Sequence, residues 1–531
     1  GAPPGAEPAQ PAPLAARPAP GPLAPGVPAA VGPGGASAAA LAASCGVAAA
    51  AALGSLVQAR RRPWPRRLGA LARRAARAGA SEAVPLARRS LVLGTAGAAG
   101  AAATAVPLPA AAAEATPTVA REAGGGIYIF DQAYGIPGLY LGANIPIRMT
   151  VMPLEGGGYL VYNPCNPTPE CLQQLAAFGV KDIRYIVLGT IAIEHKFYGP
   201  RWASLFPQAE VWISPRTFSY PVDFGGYIPF VGFPPGKQLN KIPKDSSQAP
   251  WYSQGVDHIQ LTVDYAPRTV FEETVMYHKA SGTFVCTDMI MGLSDEPPEI
   301  LTRSPYKEGL LWFARNDATQ RVDPASPEVL RDGYQKSTLL LNNINPRSLL
   351  SVAAGDLTVV DQLGLALKSP QPELGYFGWY PCNWQDTDSP CAKLEQRLPP
   401  SRGAKGFDCR PGWRGEWARL RDGVVGGIQV PSFVAELQIS RDPEAVRGFA
   451  DEIARRWPDM KQAIPSHFNA PLPVTAATVR AAVAAGGSGP PESPARAADL
   501  SNIINFRDSL EESKLIYRPE SGRGQWKPGA A

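Results

Sequence analysis

From residue 127 onward the sequence predicts an α/β protein in which strands alternate with helices and pair in parallel. Three observations carry this. The run 183–188 (IRYIVL) is almost continuously apolar, the pattern of a strand covered on both faces. A helical segment, 170–178 (ECLQQLAAF), precedes it and closes at Gly179, a residue suited to the left-handed turn that ends helices. A further apolar run, 210–213 (EVWI), follows the turn at Pro207. The order is therefore strand, helix, strand, loop, helix, strand.

The remaining elements follow along the chain. Short apolar runs at 127–130, 147–153 and 158–162 read as strands, with Gly156-Gly157-Gly158 as a turn. Pro169-Glu170 opens the helix. Strands resume at 258–264, 270–277 and 283–287, the last two joined by a hairpin turn at Lys279-Ala280-Ser281-Gly282. Residues 301–365 read as mixed helix, periodic near 326–334. Residues 369–416 are rich in Pro, Gly, Trp and Cys and read as an irregular insertion, with Tyr376, Phe377, Trp379, Tyr380 and Trp384 as loop core. The stretch 442–457 is an amphipathic helix with Asp442 as N-cap and Pro443 in the first turn. A short strand at 462–467 ends on a histidine, and 484–531 reads as a polar, loosely attached tail. The expected organisation is a leader (1–113), a domain in two parts (114–368 and 417–483), the insertion (369–416) and the tail (484–531).

Charge separates the leader from the rest. The chain has 531 residues and a net charge of +5, from 51 Lys and Arg against 46 Asp and Glu. Residues 1–113 hold 11 of those basic residues, all Arg, and only Glu7 and Glu82; the remainder keeps 40 basic and 44 acidic residues. A mildly acidic body argues against general nucleic-acid binding. Within the leader, an Ala-rich run (36–57) precedes the cluster Arg60, Arg61, Arg62, Arg66 and Arg67. Arg88-Arg89-Ser90 then precedes a second small-residue apolar run and Ala110-Ala111-Ala112-Ala113-Glu114. That order resembles a plastid transit peptide followed by a twin-arginine lumenal signal, and implies a chloroplast thylakoid-lumen protein whose mature chain begins near Glu114. No later segment is long and apolar enough to cross a membrane. An oxidising compartment would permit a Cys165–Cys171 bridge or one among Cys382, Cys391 and Cys409; free, partly buried thiols are the alternative.

Only four histidines occur, His195, His258, His278 and His467. His195, preceded by Glu194, and His467 each follow a strand, and Asp288 ends a third. Ligand sites in α/β sheets gather outside the carboxyl ends of strands. Glu194, His195, Asp288 and His467 would together offer two imidazoles and two carboxylates, a donor set for one divalent Zn, Fe or Mn ion. His258, at a strand start beside Asp257, reads as a surface or capping residue, and His278 as a local hydrogen-bonding residue at the hairpin. Arg148, in an apolar strand, must be paired or reach solvent, and a structural ion pair is the expected use. Nucleophile motifs, phosphate loops and dinucleotide fingerprints are absent.

The segments Asn144–Thr150, Tyr185–Gly189 with Glu194-His195-Lys196, Pro207–Val211, Gly282–Asp288 and Ile464–His467 resemble a divergent plant and cyanobacterial branch of the metallo-β-lactamase superfamily, domain-of-unknown-function family 4336. The resemblance covers about residues 127–300 and 425–475. It implies a four-layer αββα sandwich with a metal site at one edge of the sheets. Setting the last His of the superfamily's H-x-H-x-D-H motif on His195 puts its Asp on Glu194, and its first two His on Thr190 and Ala192. The first metal position therefore lacks its ligands. The second keeps Glu194, His195, Asp288 and His467. The remaining first-position His has no counterpart between residues 262 and 274, where Glu272 and Glu273 are the nearest carboxylates. The resemblance thus implies at most one metal, with Glu273 or Glu194 as the base of a hydrolase acting on a small ester, thioester or phosphoester. The alternative is a metal-free pseudoenzyme that serves as a binding or assembly factor for thylakoid proteins.

Overall fold

The computed structural model describes residues 116–134, 144–217, 233–266, 269–315, 320–343, 349–351, 381–383, 413–423, 427–487, 496 and 499–519. The leader, the aromatic group at 376–384 and Cys391 and Cys409 of the insertion lie outside the described residues.

Seven strands form the first sheet in chain order: β1 (Val119–Glu122), β2 (Tyr128–Tyr134), β3 (Ile145–Pro153), β4 (Tyr159–Tyr162), β5 (Ile183–Leu188), β6 (Glu210–Ile213) and β7 (Leu239–Lys241). The first four pair antiparallel and β4 to β7 pair parallel. The switch of direction follows from the connections. Helix α1 (Pro169–Ala177) carries the chain back between β4 and β5, and the one-turn α2 (Ile193–Lys196) with α3 (Gly199–Leu205) does so between β5 and β6. Helix α1 starts where Thr168 Oγ1 accepts from the Cys171 amide, and stops at Gly179, whose φ of +75° suits glycine.

The second sheet has five strands in the order β12–β11–β10–β9–β8: β8 (Val256–Ala266), β9 (Thr269–His278), β10 (Thr283–Cys286), β11 (Gln462–Pro465) and β12 (Leu472–Pro473). Only β10 and β11 run parallel within it. This pairing joins residues almost 180 apart and sets two strand ends side by side, Cys286 opposite Pro465.

The layers follow from which faces are apolar. Leu160, Tyr162, Tyr185 and Val187 of the first sheet pack against Val256, Met276, Val285 and Ile464 of the second. The outer face of the first sheet, with Val151, Val161 and Ile186, is covered by Leu175 of α1 and Trp202 of α3. Helices α4 (Tyr306–Ala314), α5 (Pro327–Asn343), α6 (Trp413–Asp422) and α7 (Ser432–Leu437) follow β10. Then α8 (Pro443–Arg456) lays Val446, Phe449 and Ile453 on the outer face of the second sheet, beside Val479 and Val483 of α9 (Ala476–Gly487). Each such buried apolar side chain contributes roughly 1.5–3 kcal/mol. The result is the four-layer αββα sandwich expected from the resemblance. Strands β5 and β6 match their expected bounds, and α8 starts on Asp442, whose carboxylate caps the Ala445 amide.

Two expectations need correction. Part of the tail is docked: α10 (Ser501–Glu512) buries Ile503 against Leu437, Arg507 pairs with Glu436 at 2.7 Å, Glu511 pairs with buried Arg441, and the Tyr517 amide donates to the Tyr265 carbonyl of β8 at 2.8 Å. His258 is no surface residue. It is fully buried, its Nδ1 accepting from Trp251 Nε1 at 3.2 Å and its Nε2 donating to the Pro243 carbonyl at 2.7 Å. It is Asp257 that caps, accepting from the His258 amide, and Asp257 also holds Arg456 and Trp457. His278 bonds locally to Ser281 Oγ at 2.7 Å. Cys165 and Cys171 are buried thiols with sulfurs 3.8 Å apart. Among the described residues no helix is long and apolar enough to cross a membrane.

Candidate metal centre

Three strand ends deliver the four side chains named from sequence to one place. Glu194, His195, Asp288 and His467 each offer a donor atom, and these atoms all lie within 4.8 Å of one another. His467 Nε2 is 2.9 Å from Asp288 Oδ1 and 3.1 Å from His195 Nε2, and His195 Nε2 is 3.6 Å from Asp288 Oδ1. His195, Asp288 and His467 are buried, while Glu194 is half-buried.

Each arm is held by bonds that sequence spacing does not reveal. After β5 the chain turns at Gly189, where a Cβ would lie 2.4 Å from the Tyr162 ring, so only glycine fits without displacing it. Tyr162 in turn donates to the Thr274 carbonyl of β9, and the Thr274 amide donates back to the Gly189 carbonyl at 2.7 Å. Thr190 makes a bridge to Glu273 and caps the Ala192 amide through Oγ1, just before α2 brings in His195. Thr190 and Ala192, onto which the resemblance set two further imidazoles, are thus a turn residue and an alanine.

The Asp288 arm rests on Glu273. Both oxygens of that carboxylate accept main-chain amides, Thr287 at 2.6 Å and Asp288 at 3.0 Å. Glu273 is fully buried, and burial, together with the nearby Asp288 carboxylate, pushes its carboxyl up to about 8. The expectation of Glu273 as a catalytic base therefore meets a group whose oxygens are already engaged in shaping the loop. Glu272, the other carboxylate on β9, accepts from the Arg216 amide at 2.7 Å and from Thr262 Oγ1 at 3.1 Å, and burial raises it to about 7. It does not supply the missing ligand.

The His467 arm crosses between the sheets. Its Nδ1 donates to the Pro146 carbonyl of β3 at 2.7 Å, which leaves Nε2 facing Asp288 and His195. Arg148, two residues along β3, is buried and pairs with Asp131 Oδ1 at 2.6 Å, the ion pair expected of it; it also donates to the Pro465 and Phe468 carbonyls. Burial favours the neutral Asp288, yet the hydrogen bonds and electrostatic influence of the His195 and His467 rings outweigh it and hold the carboxyl far below its usual range. Burial likewise opposes the His467 imidazolium, but Asp288 raises its affinity for a proton. Nothing in the sequence near residue 465 announced Arg148 or Pro146 as partners; an arginine inside an apolar strand was the one signal.

Three of the four donors, those of His195, Asp288 and His467, pass a simple test of fit. Donor atoms in tetrahedral order about a cation, with bonds of about 2.0–2.1 Å, lie about 3.3 Å apart. The three edges here, 2.9, 3.1 and 3.6 Å, bracket that spacing. Two imidazole nitrogens and a carboxylate turned toward one another also concentrate lone pairs that only a cation or a proton can reconcile.

The family described as "Domain of unknown function (DUF4336)" matches residues 124–401 and 395–484. No curated protein matches the chain. Among solved structures it is similar to DIM-1 metallo-β-lactamase exposed to ceftazidime, at 8% identity and a TM-score of 0.31, covering 69% of this chain and 97% of that one. It is similar to a metallo-β-lactamase from Hirschia baltica at 15% identity and a TM-score of 0.26, covering 42% of this chain and 98% of that one. The metallo-β-lactamase FIM-1 from Pseudomonas aeruginosa, in its mono-zinc form, shows 10% identity and a TM-score of 0.26, with 34% and 72% covered.

Proposed function

The chain belongs to the domain-of-unknown-function 4336 family, and on that premise we propose that it is a mononuclear metal-dependent hydrolase of small esters, thioesters or phosphoesters. The observation that carries this reading is the convergence of His195, Asp288 and His467 on one point, with Glu194 alongside. One divalent ion held there would supply Lewis acidity toward a carbonyl or phosphoryl oxygen. The chain's own contribution is preparation. The Pro146 carbonyl fixes which nitrogen His467 presents, Glu273 fixes the turn that presents Asp288, and burial keeps competing water from the donors. Glu194 is the half-buried member, the one carboxylate of the set placed to meet a substrate-side proton. The choice among Zn, Fe and Mn rests on the N/O donor set, which suits all three.

The test is metal content of the purified full-length chain. We expect about one equivalent of divalent metal in the wild type, loss of it in His195→Ala, and esterase or phosphoesterase activity that follows occupancy. Wild-type protein that stays far below one equivalent after incubation with Zn²⁺, Mn²⁺ and Fe²⁺ would overturn the reading. A second reading has its own observation. The 2.9 and 3.1 Å contacts of His467 Nε2 are hydrogen-bond lengths, so a shared proton could satisfy the cluster, and Thr190 and Ala192 hold no first metal. The chain would then be a pseudoenzyme serving as a binding or assembly factor. Metal-free wild type with unaltered stability upon metal addition is the outcome that selects it.

A further inference from the structure

The loop after β11 leaves one sheet and reaches the other, and its carbonyls are gathered by a single side chain. We propose that Arg148 is a positioning residue for His467: its guanidinium, anchored on Asp131, sets the loop that presents this imidazole to the cation site. The proposal rests on the cation-site reading for its consequence, while its geometry stands without it.

Arg148 Nη1 donates to the Pro465 carbonyl at 2.5 Å and Nη2 to the Phe468 carbonyl at 2.6 Å. These two residues bracket Ser466 and His467, so one rigid plane fixes the backbone on both sides of the imidazole. The third side of the guanidinium faces Asp131 Oδ1 at 2.6 Å. Asp131 is the direct cross-strand partner of Arg148 in the β2–β3 register. Asp131 also pairs with Arg121 at 2.6 Å, and Arg121 Nη2 reaches the Ala470 carbonyl at 2.9 Å. The same strand supplies the Pro146 carbonyl that accepts from His467 Nδ1. The first sheet therefore grips the loop at 465, 467, 468 and 470.

The loop needs that grip. Phe468 has φ of +54°, a left-handed backbone that a residue with a Cβ adopts only at a cost. Its carbonyl is one of the two held by Arg148. Arginine is also the one side chain suited to the task. A planar fork of five donors can serve two carbonyls and a carboxylate together, whereas a lysine ammonium acts as a point charge. An ion pair needed only to neutralise Asp131 would not require contacts with both carbonyls around His467.

The experiment uses the full-length chain. Zn²⁺ affinity is measured by competition with a chelator, and the imidazole Nδ1–H signals are followed by ¹H–¹⁵N spectroscopy. With four histidines in the chain, the His467 signal is the one missing from His467→Gln. We expect a slowly exchanging His467 Nδ1–H in the metal-free wild type. Arg148→Gln should lose that protection and bind Zn²⁺ about 10- to 100-fold more weakly, the usual effect of removing a group that orients a ligand. Arg148→Lys keeps the charge and should not restore either readout. Arg441→Gln removes another buried arginine, paired with Glu511 on α10, and should lower thermal stability while leaving both readouts unchanged. A folded Arg148→Gln or Arg148→Lys with wild-type affinity and an unmoved His467 signal overturns the proposal. Should Arg148→Gln not fold, Asp131→Asn is read by the same two criteria. Should the wild type take up no Zn²⁺, the cation reading falls alone, and the His467 signal still decides the role of Arg148.

Discussion

His467 and His258 are both buried imidazoles of the second sheet's side of the molecule, and they are built for opposite ends. His258 on β8 spends both nitrogens on neutral partners, accepting from Trp251 and donating to the Pro243 carbonyl. Its ring is complete as a neutral group, and burial pushes its proton affinity down to about 4. His467 spends only Nδ1 in this way. Its Nε2 is turned toward a carboxylate and a second imidazole, and Asp288 raises its proton affinity against the effect of burial. Burial and attachment to a strand are therefore common to both. What separates a ligand from a core histidine is whether donor atoms from several strand ends converge on its remaining nitrogen.

The sharpest way to break this comparison is to truncate each ring. His467→Ala should take metal content from about one equivalent to less than a tenth, because it removes a donor that no neighbour replaces. His258→Ala should leave the metal content at one equivalent. It should instead cost about 1–3 kcal/mol of stability, since the Trp251 indole N–H loses its buried acceptor. Metal analysis beside chemical denaturation reads both. Equal metal loss in the two variants would mean that occupancy tracks general stability and not the site.

A smaller effect comes from one step behind the ligands. Above about pH 8, where the Glu273 carboxyl is ionised, Glu273→Gln keeps the shape of the side chain but turns one of its two acceptors into a donor facing a main-chain amide. The Thr287 and Asp288 amides then compete for one oxygen. Metal affinity should fall by about 10-fold or more, with stability lower by about 1–2 kcal/mol. If Glu273 were instead the catalytic base, activity would collapse while affinity held, and the ratio of kcat to Zn²⁺ affinity separates the cases.

The sequence carried the framework further than it carried the supports. Strand β5 was legible because a parallel strand buried on both faces must be apolar throughout, and α8 because Asp442 and Pro443 mark its start. The strand-end positions of His195, Asp288 and His467 were legible for the same reason. Their supports were not. Arg148 meets Pro465 and Phe468 across 317 and 320 residues, and no local pattern encodes such a meeting. Glu273 sits in a strand whose other residues read as ordinary β sequence. The helix α10 is obscured in the sequence by the polar, Pro-rich stretch around it, although Leu500, Ile503, Ile504, Phe506 and Leu510 form a helically spaced apolar face and Arg507 and Glu511 add ion pairs. The burial of His258 is not legible because its donor and acceptor, Trp251 and the Pro243 carbonyl, come from a loop whose course only the tertiary fold sets.

The smallest effect lies in acid. A histidine neutral in the fold and ionisable when unfolded gives the unfolded chain the greater proton uptake between the two values, so stability falls as pH falls. For His258 the window runs from the ordinary value of 6.5 down to about 4. Between pH 7 and pH 5.5 the loss from this one ring is about 1 kcal/mol. Other carboxylates titrate over the same range, Glu272 among them, so the wild-type slope alone does not isolate the ring. The difference between wild type and His258→Gln does, because glutamine can keep an acceptor for Trp251 and a donor for Pro243 without taking up a proton. Urea denaturation at the two pH values, in the metal-free protein, should show the wild type losing about 1 kcal/mol more than His258→Gln. An identical loss in both would place His258 in contact with solvent or a stabilising anion, and the contrast with His467 would then rest on geometry alone.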